Sequence, residues 1–389
     1  MKKSLLLLAT LAIFANANQT RVFKVHYHFD LKYEDAKKFE AQLWNPLAYN
    51  SNYQEVKELT FKGNYSNFNL NRNNDYSADT FYAKWDKNTT AKTLDIDMII
   101  QTKERSVPLD VIKKASAKNL PIPKELEQYI KPTQHIPTDG IIKGLADKIT
   151  EGKTDRFAKV EAIYNWCTSH TFRDNNVIGC GTGDVNKIVT QKEVDDAFKN
   201  GYYGGKCTDL SSLFTALVRA SGIPAREVFG IRLGKSYFSK ALGKSDEKGF
   251  ANISTWQHCR AEYYIPGAGW IPTDPADITK LELVENLKYN DPKVQKLKEK
   301  YLHSWEMNWV AFNMGRDFTL YPKPEQFPIN MFGYPYAEVD GDVLDYYNPK
   351  EFSFTSKTPS SISSSASFVR KTGSGQAIFW QSIVLFTSL

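Results

Sequence analysis

One helix face constrains this chain more than any other feature. In GYYGGKCTDLSSLFTALVRASGIPAREV, residues 201–228, the residues Leu210, Leu213, Phe214, Leu217 and Val218 recur at i, i+3, i+4, i+7 and i+8. Gly222 and Pro224 then supply stop signals. Cys207 therefore stands in the first turn, where unpaired N–H groups and the positive end of the helix dipole favour a thiolate over a thiol. Gly204 and Gly205 ahead of it allow a tight approach and close contact by a substrate, and backbone N–H groups at such a position can stabilise an oxyanion. A cysteine at a helix start is by itself more often structural than catalytic. Nucleophile, metal ligand, half of a disulfide and small buried residue all stay open at this point.

A second segment changes the balance. In TWQHCRAEYYIPGAGWIPTDP, His258 lies on a strand that reverses through Pro266, Gly267, Ala268 and Gly269 and returns through Trp270 to Asp274. A hairpin of this length brings Asp274 back beside the start of the first strand, within reach of His258. A base and its orienting carboxylate are what a thiol nucleophile needs. Strand parity puts His258, Arg260 and Glu262 on one face and turns Cys259 to the other, toward a core.

The other cysteines are Cys167 and Cys180, so all four lie between residues 167 and 259. A disulfide scaffold would carry more cysteines in a shorter chain; one bridge stays open, with Cys167 and Cys180 the nearest pair. In DRFAKVEAIYNWCTSH, Phe157, Val160, Tyr164 and Cys167 share a helix face, which reads Cys167 as a small core residue. No CxxC or HxxxH spacing supports zinc, no acidic loop resembles an EF-hand, and no cofactor or metal is expected.

GGKCTDLSSLFTALVRASGIPAR followed by HCRAEYYIPGAGWIPTDP resembles the transglutaminase-like superfamily, whose core has a papain-like active site. Its pattern is a Cys at a helix start, a His on a strand, and an Asp in a following D-P after a G-W hairpin. Those positions are Cys207, His258 and Asp274 here. AIYNWCTSHTFRD resembles the helix preceding that site and NMGRDFTLYP its closing strand, so the likeness spans about residues 139–325. It implies a catalytic triad and attack on an amide carbonyl through a thioester. Water as acceptor gives a peptidase or amidase acting on a peptide or protein; an amine gives a protein-glutamine acyltransferase. A non-catalytic binding or assembly module on the same fold is the third reading. The position after the family's His is often small and apolar but is Cys259 here, and no side chain matches the one that completes the family's oxyanion hole.

The rest of the chain frames this core. Met1-Lys2-Lys3, the apolar run Leu5–Ala15 and the A-x-A site ending at Ala17 read as a signal peptide over 1–17, so the protein is expected to be exported, to the periplasm or outside the cell. Removing Lys2 and Lys3 takes the formal charge from +6 to +4, too small over this length to argue for nucleic acid, and no basic tract appears. Residues 18–105 alternate with period two, as in RVFKVHYHFD, FYAKW and LDIDMII, and predict an antiparallel β-sandwich. His26, His28, Asp95 and Asp97 fall on its polar faces. Five prolines over 106–138 predict a linker, with a short helix at 124–130. The fold class expected is α+β, a papain/transglutaminase-like core preceded by that sandwich. A C-terminal extension over 326–350 and a serine-rich, disordered tail over 351–389 complete the division, with no segment long enough to span a membrane. Tyr202, Tyr203, Trp256, Tyr263, Tyr264 and Trp270 surround the site, as packing or as groove walls.

Overall fold

The alternation of RVFKVHYHFD becomes strand β1 (Thr20–Leu31), with Phe23, Val25, Tyr27, Phe29 and Leu31 buried and the intervening residues turned outward. The computed structural model describes residues 19–32, 38–190 and 203–348, and the backbone alone of 354–358. The signal-peptide expectation over 1–17, Tyr202 and the tail beyond residue 358 lie outside the described residues. Strands β2 (Ala41–Pro46), β3 (Gln54–Gly63), β4 (Asn67–Asn71), β5 (Thr80–Trp85) and β6 (Lys92–Lys103) follow. β1 and β6 pair antiparallel along their whole length, Tyr27 facing Ile96 and Phe29 facing Leu94. On the outward face of the same pair His26 meets Asp97 at 3.1 Å and His28 meets Asp95 at 2.8 Å, part-exposed cross-strand pairs of the kind that decorate a solvated sheet.

β7 (Arg105–Ser106) opens the stretch expected as a linker. Much of that stretch is instead ordered into the following core. Helix α1 (Leu109–Ala117) buries Ile112 and Ala115 in the same apolar cluster as α2 (Gly140–Ile149) and α3 (Arg156–His170), and a 3₁₀ turn spans Lys124–Tyr129. Pro108 is the N-cap of α1, and the prolines at 121 and 123 fall past its end. They bracket the helix rather than break it, which a proline count cannot reveal. In α3 the predicted face of Phe157, Val160, Tyr164 and Cys167 is buried, and the Asp155 carboxylate caps the first turn by accepting from Ala158 N at 3.0 Å.

Next come β8 (Thr171–Arg173), α4 (Val185–Ile188), β9 (Tyr203–Gly205), α5 (Cys207–Ala220), β10 (Ala225–Arg232), β11 (Ala251–Asn252), β12 (Gln257–Ile265), β13 (Gly269–Thr273), α6 (Ala276–Glu285), α7 (Pro292–Tyr301), β14 (Ser304–Trp305) and β15 (Trp309–Asn313). β8 and β9 run parallel; β13, β12, β10 and β15 make one antiparallel sheet in that order. α5 is buried along its entire length, against α2, α3, β10 and β12. A helix buried all round is a core element, consistent with its apolar face extended by Ala216, Thr215 and Ser212.

The chain then returns to its beginning. β16 (Arg316–Phe318) pairs with β17 (Ile329–Met331), while β18 (Tyr336–Val339), β19 (Asp342–Val343) and β20 (Phe354–Thr358) complete the N-terminal sheets. The first sheet has the order β11-β20-β1-β6-β3, the second β19-β18-β2-β5-β4, both antiparallel. Their buried faces share one apolar cluster, with Phe29, Leu94 and Ile96 from one sheet and Leu43, Phe81 and Trp85 from the other, as a sandwich requires. Part of this differs from expectation. NMGRDFTLYP does not form one closing strand: Asn313 ends β15, which joins β10, and Arg316–Phe318 forms β16, which joins β17. The serine-rich stretch beginning at Ser356 starts inside β20, which covers an edge of β1. Composition cannot announce a pairing more than three hundred residues distant. No helix among the described residues is long and apolar enough to cross a membrane.

A buried ion pair fastens α5 to this returning chain. Arg316 Nη2 donates to Glu227 Oε1 at 2.6 Å and to Ser212 Oγ at 2.7 Å, and Ser212 Oγ itself donates to the same carboxylate at 2.7 Å. Both charged groups are about fully buried. Removing one partner strands the other in a low-dielectric interior. Glu227→Ala is therefore expected to lower unfolding free energy by about 3–5 kcal/mol, read from the urea midpoint; an unchanged midpoint would contradict this account.

Candidate active site

Burying the start of α5 leaves its N–H groups in need of acceptors, and the chain supplies them from nearby loops. Lys206 is the N-cap in an extended conformation (φ −110°, ψ −166°). The Asp209 carboxylate, three residues on, reaches back to accept from Lys206 N at 2.9 Å and also from Gly183 N at 2.8 Å. Thr208 N donates to the Cys180 carbonyl at 2.9 Å. Gly181 must be glycine: its φ is +83°, and a Cβ there would lie 1.8 Å from Asp209 Oδ2. Gly205 has a different reason, since a Cβ would press on Asp209 Cβ at 2.7 Å. The glycines before Cys207 are thus sites of close packing around the helix start.

Cys207 sits at the first position of α5, buried at 4% exposure. Cys180, which shares its side-chain cluster, and His258 are the groups that act on its sulfur. Cys180 first, then His258 and its charge, hold the Cys207 thiol well below its usual range, against burial. Cys180 shifts the other way, pushed well up by Cys207 and by burial. The Cys180 sulfur also lies 2.9 Å from the Gln257 carbonyl, so its single proton has two acceptors to choose between.

The hairpin β12–β13 closes as its spacing implies, with Ala261 facing Thr273 and Ile265 facing Gly269. Asp274 follows the last paired residue, and its Oδ2 lies 2.8 Å from His258 Nε2, both side chains buried. With Nε2 engaged by Asp274, Nδ1 is the ring nitrogen left for Cys207. The His258 carbonyl accepts from Trp309 Nε1 at 3.0 Å, fixing the strand that carries the ring. Parity holds beyond it: Arg260 Nε lies 3.2 Å from Asp274 Oδ2, Glu262 pairs with Arg226 and Arg105, and Cys259 faces the cluster that contains Cys207 and Leu210.

Asp277 escaped the sequence reading, although the D-P-A-D spacing around a helix start was visible. Its N–H donates to Asp274 Oδ1 at 3.1 Å, and its Oδ1 pairs with Arg232 and lies 3.6 Å from His258 Nε2. Burial opposes its ionisation, but Arg232 and then His258 hold its pKa well below the carboxylate range. Asp274 is raised by burial and by the Asp277 charge. His258, Asp274 and Asp277 are close enough to share a cation. Each carboxylate already carries an arginine, Arg260 or Arg232, so the donor set is neutralised and does not fit a metal.

The four cysteines are free thiols. Cys167 lies in the helical core and Cys180 beside Cys207, so the nearest pair in sequence is not a bridge. Tyr203 and Tyr263 are core residues, and Trp270 stacks 3.9 Å from the Arg226 guanidinium and edge-on to Tyr264. Trp256 packs on the N-terminal cluster. These rings are packing rather than groove walls.

The family model described as the transglutaminase-like superfamily matches residues 143–275. An uncharacterized protein of Haemophilus influenzae is 44% identical over 337 residues, covering 84% of this chain and 88% of that one. YebA of Bacillus subtilis, also uncharacterized, is 28% identical over 134 residues, 34% of this chain and 17% of its own. Among solved structures, a candidate cysteine protease from Cytophaga hutchinsonii superposes with a TM-score of 0.50 at 15% identity, over 87% of this chain and 98% of that one, a likeness of fold.

A cavity borders the helix start and a second lies at β8 and α6. One of about 500 Å³ is lined by Ile178, Gly181, Thr182, Asp209 and Tyr347; the other, about 630 Å³, by His170, Phe172, Glu282 and Tyr289. Glu282 leaves its Oε1 buried without a hydrogen-bond partner, and burial raises its pKa from 4.5 to about 7. Between those values the folded chain keeps a proton that the unfolded chain has released. Stability therefore falls as pH rises through this window and is level on either side. Glu282→Gln removes the effect: the variant's melting temperature should gain on the parent from pH 4.5 to 7 and hold that gain above. Parallel profiles across the window would refute it.

Proposed function

The chain belongs to the transglutaminase-like superfamily, and from that premise we propose that it is a thiol-dependent amide hydrolase, a cysteine peptidase or amidase, with Cys207 as nucleophile, His258 as general base and acid, and Asp274 as the group that orients His258. The observation that carries this reading is the buried His258–Asp274 pair, Nε2 to Oδ2 at 2.8 Å, with the same imidazole acting on the buried Cys207 thiol at the start of α5. A thiol depressed by its neighbours and paired with an oriented imidazole has the chemistry of an acyl-transfer nucleophile.

In this mechanism the proton of Cys207 resides on His258, and the thiolate attacks the amide carbon. The carbonyl oxygen becomes an oxyanion. The Cys207 backbone N–H, at the start of α5 and without an acceptor among the described residues, is the donor offered to it. His258 then gives its proton to the leaving amine, and the carbon–nitrogen bond breaks to leave a thioester on Cys207. Water attacks the thioester with His258 as base, releasing the carboxylic acid and restoring the thiol. Asp274 keeps the ring in one tautomer throughout and stabilises the imidazolium as it forms. Arg260, bound to the same carboxylate, fixes Asp274 in turn. The basic start and apolar run before Ala17 support export of the protein from the cytoplasm.

Alkylation by iodoacetamide across pH tests the nucleophile directly. Cys207 is expected to label selectively and fast below neutral pH, and His258→Ala to slow that labelling about tenfold or more at pH 6. Uniform slow labelling of all cysteines would count against the triad. Peptide libraries analysed by mass spectrometry then separate acceptors. Cleaved products abolished by Cys207→Ala support the hydrolase, amine incorporation into glutamine peptides an acyltransferase. Ligand binding without turnover, surviving Cys207→Ala, supports a binding module.

A further inference from the structure

A second buried thiol, Cys180, lies in the same side-chain cluster as Cys207, and a cysteine–histidine–aspartate mechanism does not require it. We propose that Cys180 and Cys207 form a redox dithiol, a modification site at which exchange with a small-molecule disulfide closes a Cys180–Cys207 bond and caps the nucleophile. Both thiols are free, both are buried, and they share one side-chain cluster. Their backbones are also joined, because Thr208 N, next to Cys207, donates to the Cys180 carbonyl at 2.9 Å. Cys180 lies between Gly179 and Gly181, both in the left-handed region at φ +57° and +83°. A Cβ at Gly179 would lie 2.2 Å from the Tyr347 carbonyl and one at Gly181 1.8 Å from Asp209 Oδ2, so the bare backbone on either side is what seats the Cys180 loop close against the helix start.

The remaining thiols are placed differently. Cys167 belongs to the helical core. Cys259 shares the cluster, but its sulfur is directed to the Arg260 carbonyl at 3.5 Å. The groups facing the pair are His258 and the Gln257 carbonyl from β12, Tyr334 from the returning chain, which shares the cluster, and the Arg173 charge near both sulfurs.

The two thiols have unequal roles. Cys207, the more acidic, attacks one sulfur of the external disulfide, forming a mixed disulfide and expelling a thiolate. Cys180, kept protonated while Cys207 carries the charge, gives up its proton to the expelled thiolate once Cys207 is capped. It then attacks Cys207 Sγ and expels the second thiolate. One external disulfide is reduced to one thiol and one thiolate, and one internal disulfide is formed. Excess dithiol reverses both steps.

The proposal goes beyond the hydrolase reading and needs no turnover, so each can fail without the other. The experiment incubates the full protein with glutathione disulfide, alkylates it in denaturant and maps the peptides. The expected result is a mass lower by two hydrogen atoms, two cysteines shielded from iodoacetamide, and one linked peptide pair containing Cys180 and Cys207. Dithiothreitol should restore both. Cys180→Ala should stop at a glutathione adduct on Cys207, and Cys167→Ala should behave as the parent. A lasting glutathione adduct on the parent with Cys180 still alkylatable, linkage through Cys259 or Cys167, or four reactive thiols after incubation would each overturn it. The parent's peptide map decides the matter even if Cys180→Ala does not fold.

Discussion

The site depends on burying the N-terminus of a helix. The first N–H groups of α5 cannot be left to water, because every residue of that helix is buried. Asp209 answers for the cap by reaching back to Lys206 N, and the Cys180 carbonyl answers for Thr208 N. Those two acceptors fix the loop around residues 179–184 against the helix start, and that loop delivers a second thiol beside the first. Cap, glycines and paired sulfurs are consequences of one requirement, which makes the acidity of Cys207 and the tightness of its surroundings inseparable.

Charge compensation is the second requirement. Asp274 and Asp277 are both fully buried around one imidazole, and Arg260 and Arg232 answer them from adjacent strands. Two carboxylates and two guanidiniums leave the network neutral before the catalytic pair is counted. A thiolate at Cys207 with an imidazolium at His258 then adds no net charge to a region where an uncompensated one would be expensive. The two acids are not equivalent. Asp277 is tied to Arg232 and strongly held in its ionised form, while Asp274 faces the ring. Asp277 therefore keeps Asp274 in place through its own N–H and tunes it through its charge.

What the sequence made legible was local. The period of α5, the glycines before it and the length of the β12–β13 hairpin placed Cys207, His258 and Asp274 on elements that the fold brings together. Each of those signals lies within about twenty residues, where spacing translates directly into geometry. Cys180 was unreadable for the opposite reason. Its approach to Cys207 follows from a loop turned by left-handed glycines and from a helix-start donor, and no periodicity encodes either. α1 was hidden by prolines that bracket it, and β20 by a composition that suits disorder as well as an edge strand. The arginines that neutralise the aspartates are legible only once β10 and β12 are aligned side by side.

The N-terminal sheets also belong to this argument. Ile231 and Leu233, at the end of β10 and just beyond it, and Val310 and Phe312 from β15 lie in the same apolar cluster as Phe29, Ile96 and Trp85. Gly230, one residue before Ile231, pairs with His258, and a Cβ there would lie 2.0 Å from the Val310 carbonyl. β15 can thus approach β10 closely only where a side chain is missing, and that approach seats Trp309 against the His258 carbonyl. The strand beneath the imidazole is packed on one side by α5, which carries the thiol. Its neighbour β10 enters, at its end, the core of the N-terminal sheets, to which the returning C-terminal strands are added. The sheets before and after the transglutaminase-like segment are accordingly part of the support of the His258 strand. The register of that strand, and with it the distance from imidazole to thiol, is set by packing that reaches to both ends of the described chain.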